Sequence, residues 1–207
     1  MLILNLISSP ITFFFFAIAV LASLTVHEFS HAFVAYKFGD LTAKNMGRLT
    51  LNPIAHVDLW GTIFLLIAGF GWGKPVMVNS SNFENPATDD FIVSLAGPLS
   101  NLGLAICFGL IYRFVPVSGL VETLLFMMVF YNLVFMIFNL LPIPPLDGSA
   151  VYGLFLPQEV IMQMQQIGIL ILFALVAFSS LIPVIPFIIN HVVGFFFTLI
   201  TGQPITL

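Results

Sequence analysis

The chain has 207 residues, of which 60% are hydrophobic and 7% charged, with a mean hydropathy of +1.13 and a net charge of −4. A soluble domain carries about 25% charged residues, so this composition is that of an integral membrane protein with little soluble mass. Five basic residues without a basic patch give no basis for nucleic-acid binding, and the lone Cys107 excludes an intrachain disulfide framework and a cysteine-based metal site.

The first apolar segment, about Pro10 to Tyr36, follows a start, MLILNLISS, that lacks a basic region. It is therefore expected to remain as a membrane helix and not to be cleaved as a signal peptide. Its only ionisable side chains are His27, Glu28 and His31, in the stretch His27-Glu28-Phe29-Ser30-His31. Ionisable groups inside a bilayer cost several kcal/mol each, so three within five positions require a function. HExxH on a helix supplies one. Residues four apart share a face, so both imidazoles can hold one zinc ion while the intervening glutamate activates water.

A polar stretch, 37–58, leads to Leu59–Phe70, about 12 apolar residues where a crossing helix needs about 20. Glycines bracket it, which predicts a re-entrant or interfacial segment. The polar stretch 78–90 precedes a span from Phe91 to about Pro116, and another runs from about Leu120 to Leu141. Two further apolar segments, about Gln165 to Ile182 and Val184 to Ile200, are separated by Pro183 and Pro186. The expectation is an all-α polytopic helical bundle. It has about five full spans, one short re-entrant segment and room for a small β-hairpin. It is read as one domain over 1–207, with a catalytic core at about 10–155 and a C-terminal helical pair at about 163–201.

A catalytic zinc needs a third protein ligand. The acidic residue poised at a membrane boundary by proline and glycine is Asp147, in Pro142-Ile143-Pro144-Pro145-Leu146-Asp147-Gly148. Asp147 meets His31 only if 59–70 does not cross, which places 37–58, 71–90 and 142–163 on one side. Lys37, Lys44, Arg48 and Lys74 fall on that side and Arg113 on the other, so the positive-inside bias makes it cytoplasmic, with the N-terminus outside. Zn2+ with ionised Asp147 and Glu28 is neutral overall, which lowers the cost of burial. Asn139 can donate from its amide to orient a substrate strand or to stabilise an oxyanion.

With these residues in place, the chain resembles the site-2 protease family of intramembrane zinc metalloproteases, in particular its compact members without PDZ or CBS domains. The matching pieces are TVHEFSHA at Thr25–Ala32, LNPxxHxD at Leu51–Asp58, GWGKPV at Gly71–Val76, AGPLSN at Ala96–Asn101 and FNLLPIPPLDG at Phe138–Gly148. The resemblance implies His27, His31 and Asp147 as ligands of one Zn2+, Glu28 as catalytic acid/base and Asn139 as a substrate-orienting residue. It also implies a transmembrane protein as substrate, and an edge strand in the Gly-Trp-Gly-Lys region that receives it. The family pattern has proline where this chain has Leu59, a departure confined to the re-entrant segment.

Other polar positions carry structural expectations. His56, in a polar loop, is expected at the surface or at a cap, and His191 as a packed or interfacial histidine. Gly97-Pro98 with Ser100 and Asn101 is expected as a close-packing and kink device. The plasma (cytoplasmic) membrane is the expected location, with the site towards the cytoplasm. A non-proteolytic protein that binds client transmembrane helices is the alternative. A metal transporter fits poorly, because the other spans are almost uncharged.

Overall fold

The structure is a computed structural model that describes residues 9–68, 71–178 and 183–205. The expected signal-less start at 1–8, the end of the short apolar segment at 69–70 and the end of the fifth apolar segment at 179–182 lie outside the described residues.

The described chain is helical: α1 (Pro10–Lys37), α2 (Thr42–Asn45), α3 (Leu59–Ala68), α4 (Pro86–Phe114), α5 (Leu120–Asn139), α6 (Gln158–Ala177), α7 (Val184–Phe187) and α8 (Gly194–Thr201). A π-helical turn, Ile188–Val193, joins α7 to α8, and a 3-10 helix, Asp147–Leu154, follows α5. Proline opens both α1 and α4, where its missing N–H costs nothing, and Lys37 and Arg113 close them at the negative dipole end. Among the described residues, four helices are long and apolar enough to cross a membrane: α1, α4, α5 and the continuous stretch Val184–Thr201. Glu159–Leu175, within α6, is a shorter apolar helix. The fifth segment begins at Gln158, earlier than its apolar run suggested.

α1, α4 and α5 pack on one another and position the site. Small residues let them approach: Ala19, Ala32 and Ala35 of α1 and Ala105 of α4 are fully buried. Val129, Leu133, Met136 and Ile137 of α5 pack with Ala105 and with Val193 and Phe197 of the last helix in one apolar cluster. Polarity is inverted relative to a soluble fold. Asn101, Asn132 and His56 are fully buried, while Phe14, Phe114 and Leu170 are exposed, as suits a surface facing lipid.

The direction of the last helix follows from its contacts. Arg113 donates to the Leu199 carbonyl at 3.3 Å, and Phe197 packs on Tyr112 and Phe126. Its C-terminal end therefore lies beside the C-terminal end of α4 and the N-terminal half of α5. It runs parallel to α4 and antiparallel to α5.

α3 spans ten residues, about 15 Å of helix, half of what a crossing requires. Asp58 holds its start by accepting from the Gly61 N–H at 2.7 Å. Gly61 is required there because a Cβ would collide with the Trp72 carbonyl. In place of a β-hairpin, the described residues form one isolated antiparallel bridge, Val57 to Gly73, with Lys74 N–H donating to the His56 carbonyl at 2.8 Å.

Candidate metal centre

His27 and His31 project from the same face of α1 with ring centroids 4.6 Å apart. The segment after α5 folds back and delivers Asp147 to them. Gly148 makes that return possible, since a Cβ there would clash with the Leu140 carbonyl. Tyr152 donates to the Pro142 carbonyl at 2.9 Å and Ser149 to that of Leu146 at 2.7 Å, which closes the fold-back on itself. The 3-10 helix also packs on α4.

Three atoms converge. His27 Nε2 and His31 Nε2 are 3.1 Å apart, and Asp147 Oδ2 lies 3.1 Å from the first and 3.3 Å from the second. His31 Nδ1 faces the Val93 carbonyl at 2.8 Å, in the turn of α4 that precedes Pro98. A carbonyl only accepts, so Nδ1 carries the proton and the neutral ring turns a lone pair from Nε2 towards the cluster. His27 Nδ1 contacts Oδ1 of Asn101 at 2.7 Å, which has the same consequence. Asp147 Oδ2 is buried without a hydrogen-bond partner.

With both rings in the neutral form that a metal ligand takes, three lone-pair donors point at one another. Such a set repels itself unless a cation sits among its members. Ligands about 2.0–2.1 Å from a tetrahedral zinc lie about 3.3 Å from each other, close to the separations seen. The donor set, two neutral imidazoles and one carboxylate, is also that of open catalytic zinc sites. The residues fit the metal.

Gly97 forms the wall beside this cluster. A Cβ there would collide with the imidazoles of His27 and His31. Glu28, the residue after His27 on α1, is buried. Its Oε2 accepts the backbone N–H of Val76 at 2.8 Å. The segment that carries Val76 is held from both sides. Lys74 is fixed through Arg48, which donates to its carbonyl, and through His56, whose carbonyl accepts its N–H. Asn79 N–H donates to Asp40 at 2.9 Å.

Asn139, at the C-terminal end of α5, donates its amide to the Phe135 carbonyl of its own helix at 3.0 Å. No hydrogen bond joins it to the cluster among the described residues. His56 departs from the surface role expected of a loop histidine. It is fully buried, donates from Nε2 to the Thr50 carbonyl at 2.8 Å and faces the Arg48 guanidinium with Nδ1. Asn101, expected as a packing residue, instead contacts a ring of the cluster, and the buried Asn132 behind it was not singled out. His191 is exposed and stacks on Phe187.

The sequence comparisons give the family. The model of peptidase family M50 matches residues 15–117 and 115–179. YwhC of Bacillus subtilis (strain 168), named as a candidate zinc metalloprotease, is 43% identical over 161 residues, covering 73% of this chain and 74% of YwhC. Rip2 of Mycolicibacterium smegmatis (strain ATCC 700084 / mc(2)155) carries the same kind of name and is 40% identical over 134 residues, covering 62% of this chain and 52% of Rip2. Rip2 of Mycobacterium tuberculosis (strain ATCC 25618 / H37Rv) is 39% identical over 136 residues, again with 52% of its length covered. No solved structure matches the chain. The chain belongs to peptidase family M50, the site-2 proteases, and is a metalloprotease of the membrane.

Proposed function

We propose that this metalloprotease holds one zinc ion on His27, His31 and Asp147 and hydrolyses a peptide bond in or near the transmembrane segment of another membrane protein, the chemistry of regulated intramembrane proteolysis. The observation that carries the reading is the convergence of two imidazole nitrogens and one carboxylate oxygen within 3.1–3.3 Å inside an apolar helix bundle. Zinc, when bound, polarises the scissile carbonyl and acidifies water.

The chain's own residues supply the rest. Glu28 takes the proton of the attacking water and passes it to the leaving amine. Its carboxylate is aimed by the Val76 N–H, so the base is fixed to the same segment that would receive an extended substrate. Asn139 lies on the run from α5 to Asp147, where its amide would turn from Phe135 to a substrate carbonyl. A helical substrate hides its carbonyls in i→i−4 bonds, so it must unwind before cleavage, and glycine, proline or asparagine near the scissile bond favours that.

The whole chain is read as one domain in the plasma membrane. Its N-terminus is outside, and 37–58, 71–90 and 142–157 face the cytoplasm, as four of the five basic residues favour. His27 lies ten residues before the end of α1, about 15 Å of helix from that side. The direction of the last helix supports four crossings in place of the five expected. Val184 then starts on the cytoplasmic side, where α6 also starts, so α6 joins α3 as a segment that enters without crossing.

Comparison of membrane proteomes carrying the wild-type chain or Glu28→Gln tests the function. The variant retains zinc and both ligand rings but has no base. A single-span protein truncated only in the wild-type background is the expected result. Identical proteomes, with both proteins loaded with zinc, would favour the client-binding alternative.

A further inference from the structure

A buried polar chain runs from the metal cluster into the bundle and joins three helices. His27 Nδ1 of α1 contacts Oδ1 of Asn101 of α4 at 2.7 Å. The Asn101 amide nitrogen donates to the Ser23 carbonyl at 3.1 Å and to Oδ1 of Asn132 of α5 at 3.0 Å. The Asn132 amide nitrogen donates to the Met128 carbonyl at 2.7 Å. Both asparagines are fully buried, so neither can exchange these partners for water.

The order of donors and acceptors along this chain is forced from its far end. Met128 offers a carbonyl, which only accepts, so Asn132 must turn its NH2 there and its oxygen towards Asn101. That oxygen and the Ser23 carbonyl are both acceptors, so Asn101 must present its NH2 to the pair. Turning the Asn101 amide over would gather three oxygens in a dry site and leave the two side-chain oxygens, of Asn101 and Asn132, without a donor. Asn101 therefore faces His27 with its oxygen, and His27 must answer with Nδ1–H. In the neutral ring the other nitrogen, Nε2, then keeps a lone pair aimed at Asp147 and His31.

We propose that Asn101, locked by Asn132, is a positioning residue that fixes the tautomer and ring plane of His27 for metal binding. This rests on the zinc-site reading above. The Ser23 and Met128 carbonyls thereby set the tautomer of the His27 ring through Asn101. A neutral amide performs this task where a carboxylate would add a charge to a site already balanced in charge. Partners of this kind behind a ligating histidine are worth about 10–100-fold in metal affinity.

The test is zinc affinity of the full-length, detergent-purified chain by chelator competition, together with the visible spectrum of the Co2+-loaded protein. Asn101→Leu keeps the volume but offers no acceptor, and is expected to weaken zinc about 10–100-fold and to alter the Co2+ bands. Asn101→Asp keeps an oxygen for the His27 N–H but turns a second oxygen to the Ser23 and Asn132 acceptors, so it is expected to recover part of the affinity that Asn101→Leu loses. Asn132→Leu frees the Asn101 amide to turn. It should weaken zinc severalfold in the wild-type background and not at all once Asn101→Leu is present, because the two act through one contact.

Equal affinities of Asn101→Leu and Asn101→Asp would overturn the proposal. If Asn101→Leu does not fold, as judged by thermal unfolding of the metal-free protein, wild-type affinity in Asn132→Leu overturns it instead. His27→Ala is the control that separates the two levels. Zinc retained in His27→Ala sinks the site itself, whereas zinc lost there but unchanged in Asn101→Leu sinks only the positioning role.

Discussion

The Glu28 carboxylate accepts the backbone N–H of Val76 at 2.8 Å, across 48 positions of sequence. It links the HExxH helix directly to the extended segment that follows α3, which also packs on α1 through Val78. The segment is held by polar contacts at Lys74, Val76 and Asn79, each to a group on or beside α1 or to the loop that follows it. A hydrogen bond to a charged group contributes about 1.5–3 kcal/mol. Val76→Pro removes this donor while leaving every zinc-binding side chain in place. We expect zinc content to stay at the wild-type level and kcat for a transmembrane substrate to fall about 10–100-fold, the equivalent of that bond. Unchanged kcat would show that the bond does not aim the carboxylate during turnover.

The metal ligands make a sharper prediction. Purified protein should carry about one zinc per chain, and His27→Ala, His31→Ala and Asp147→Ala should each remove most of it, measured by elemental analysis after dialysis. Asp147 is the informative member, because it reaches the site only through the fold-back held by Gly148. Full zinc occupancy in Asp147→Ala would leave its orphaned, buried oxygen unexplained and take it out of the ligand set.

Gly97 should be intolerant of the smallest change. It lies in α4, where a Gly→Ala exchange at an open helical site would add stability by helix propensity. Here the added Cβ meets both imidazoles. We expect Gly97→Ala to lower zinc affinity through displacement of the rings, with helix content by circular dichroism unchanged. An alanine variant that binds zinc as tightly as wild type would mean that the two helices separate freely, which the tight packing of α1 on α4 opposes.

The residues of the candidate metal centre could be singled out in the sequence because their signals are local. HExxH sits in about one helical turn and Asp147 sits in a proline- and glycine-bounded stretch. What the sequence hid depends on how helices meet. Asn101 and Asn132 are 31 residues apart and carry no shared spacing; each reads alone as an interhelical amide. His56 lies among loop residues, and its burial comes from the Arg48–Lys74 contact that folds the loop over it. The direction of the last helix is set by Phe197 against Tyr112 and Phe126, which no apolar run reveals.

Asp40 gives a prediction about pH and stability. Burial would raise its pKa, but the Thr42 hydroxyl at 2.6 Å, the Asn79 N–H, the Asn82 amide at 2.7 Å and the Thr42 N–H outweigh that. Together they hold its carboxyl below the ordinary 3.8. A folded-state pKa below the unfolded one means the charged form stabilises the fold. The contribution is complete above pH 3.8 and is lost as pH falls through the lower, folded value. Asp40→Asn cannot satisfy all four donors and is expected to cost about 1–3 kcal/mol at neutral pH. The gap between the two melting curves in detergent should persist down to about pH 3.8 and close below it. A gap independent of pH would mean that charge plays no part.

The last prediction concerns the topology, where four and five crossings part company. Both place Ser81 in the cytoplasm, within the polar stretch between α3 and α4. They differ at the C-terminal end. Five alternating spans return Gln203 to the cytoplasm. With four, the last helix runs parallel to α4, and Gln203 comes out beside Tyr112, whose hydroxyl lies 3.5 Å from the Gln203 side chain. Arg113 packs against Gly202 at the same end, which fixes the level as well as the direction. In a Cys107→Ala background, single cysteines at Ser81 and Gln203 can be labelled in intact cells with an impermeant maleimide. We expect Gln203→Cys to label from outside and Ser81→Cys only after lysis. Protection of both until lysis would restore the five-span path and make α6 a full crossing. External labelling of Ser81→Cys would mean that α3 crosses, and Asp147 could then not reach His31 from the side the basic residues define.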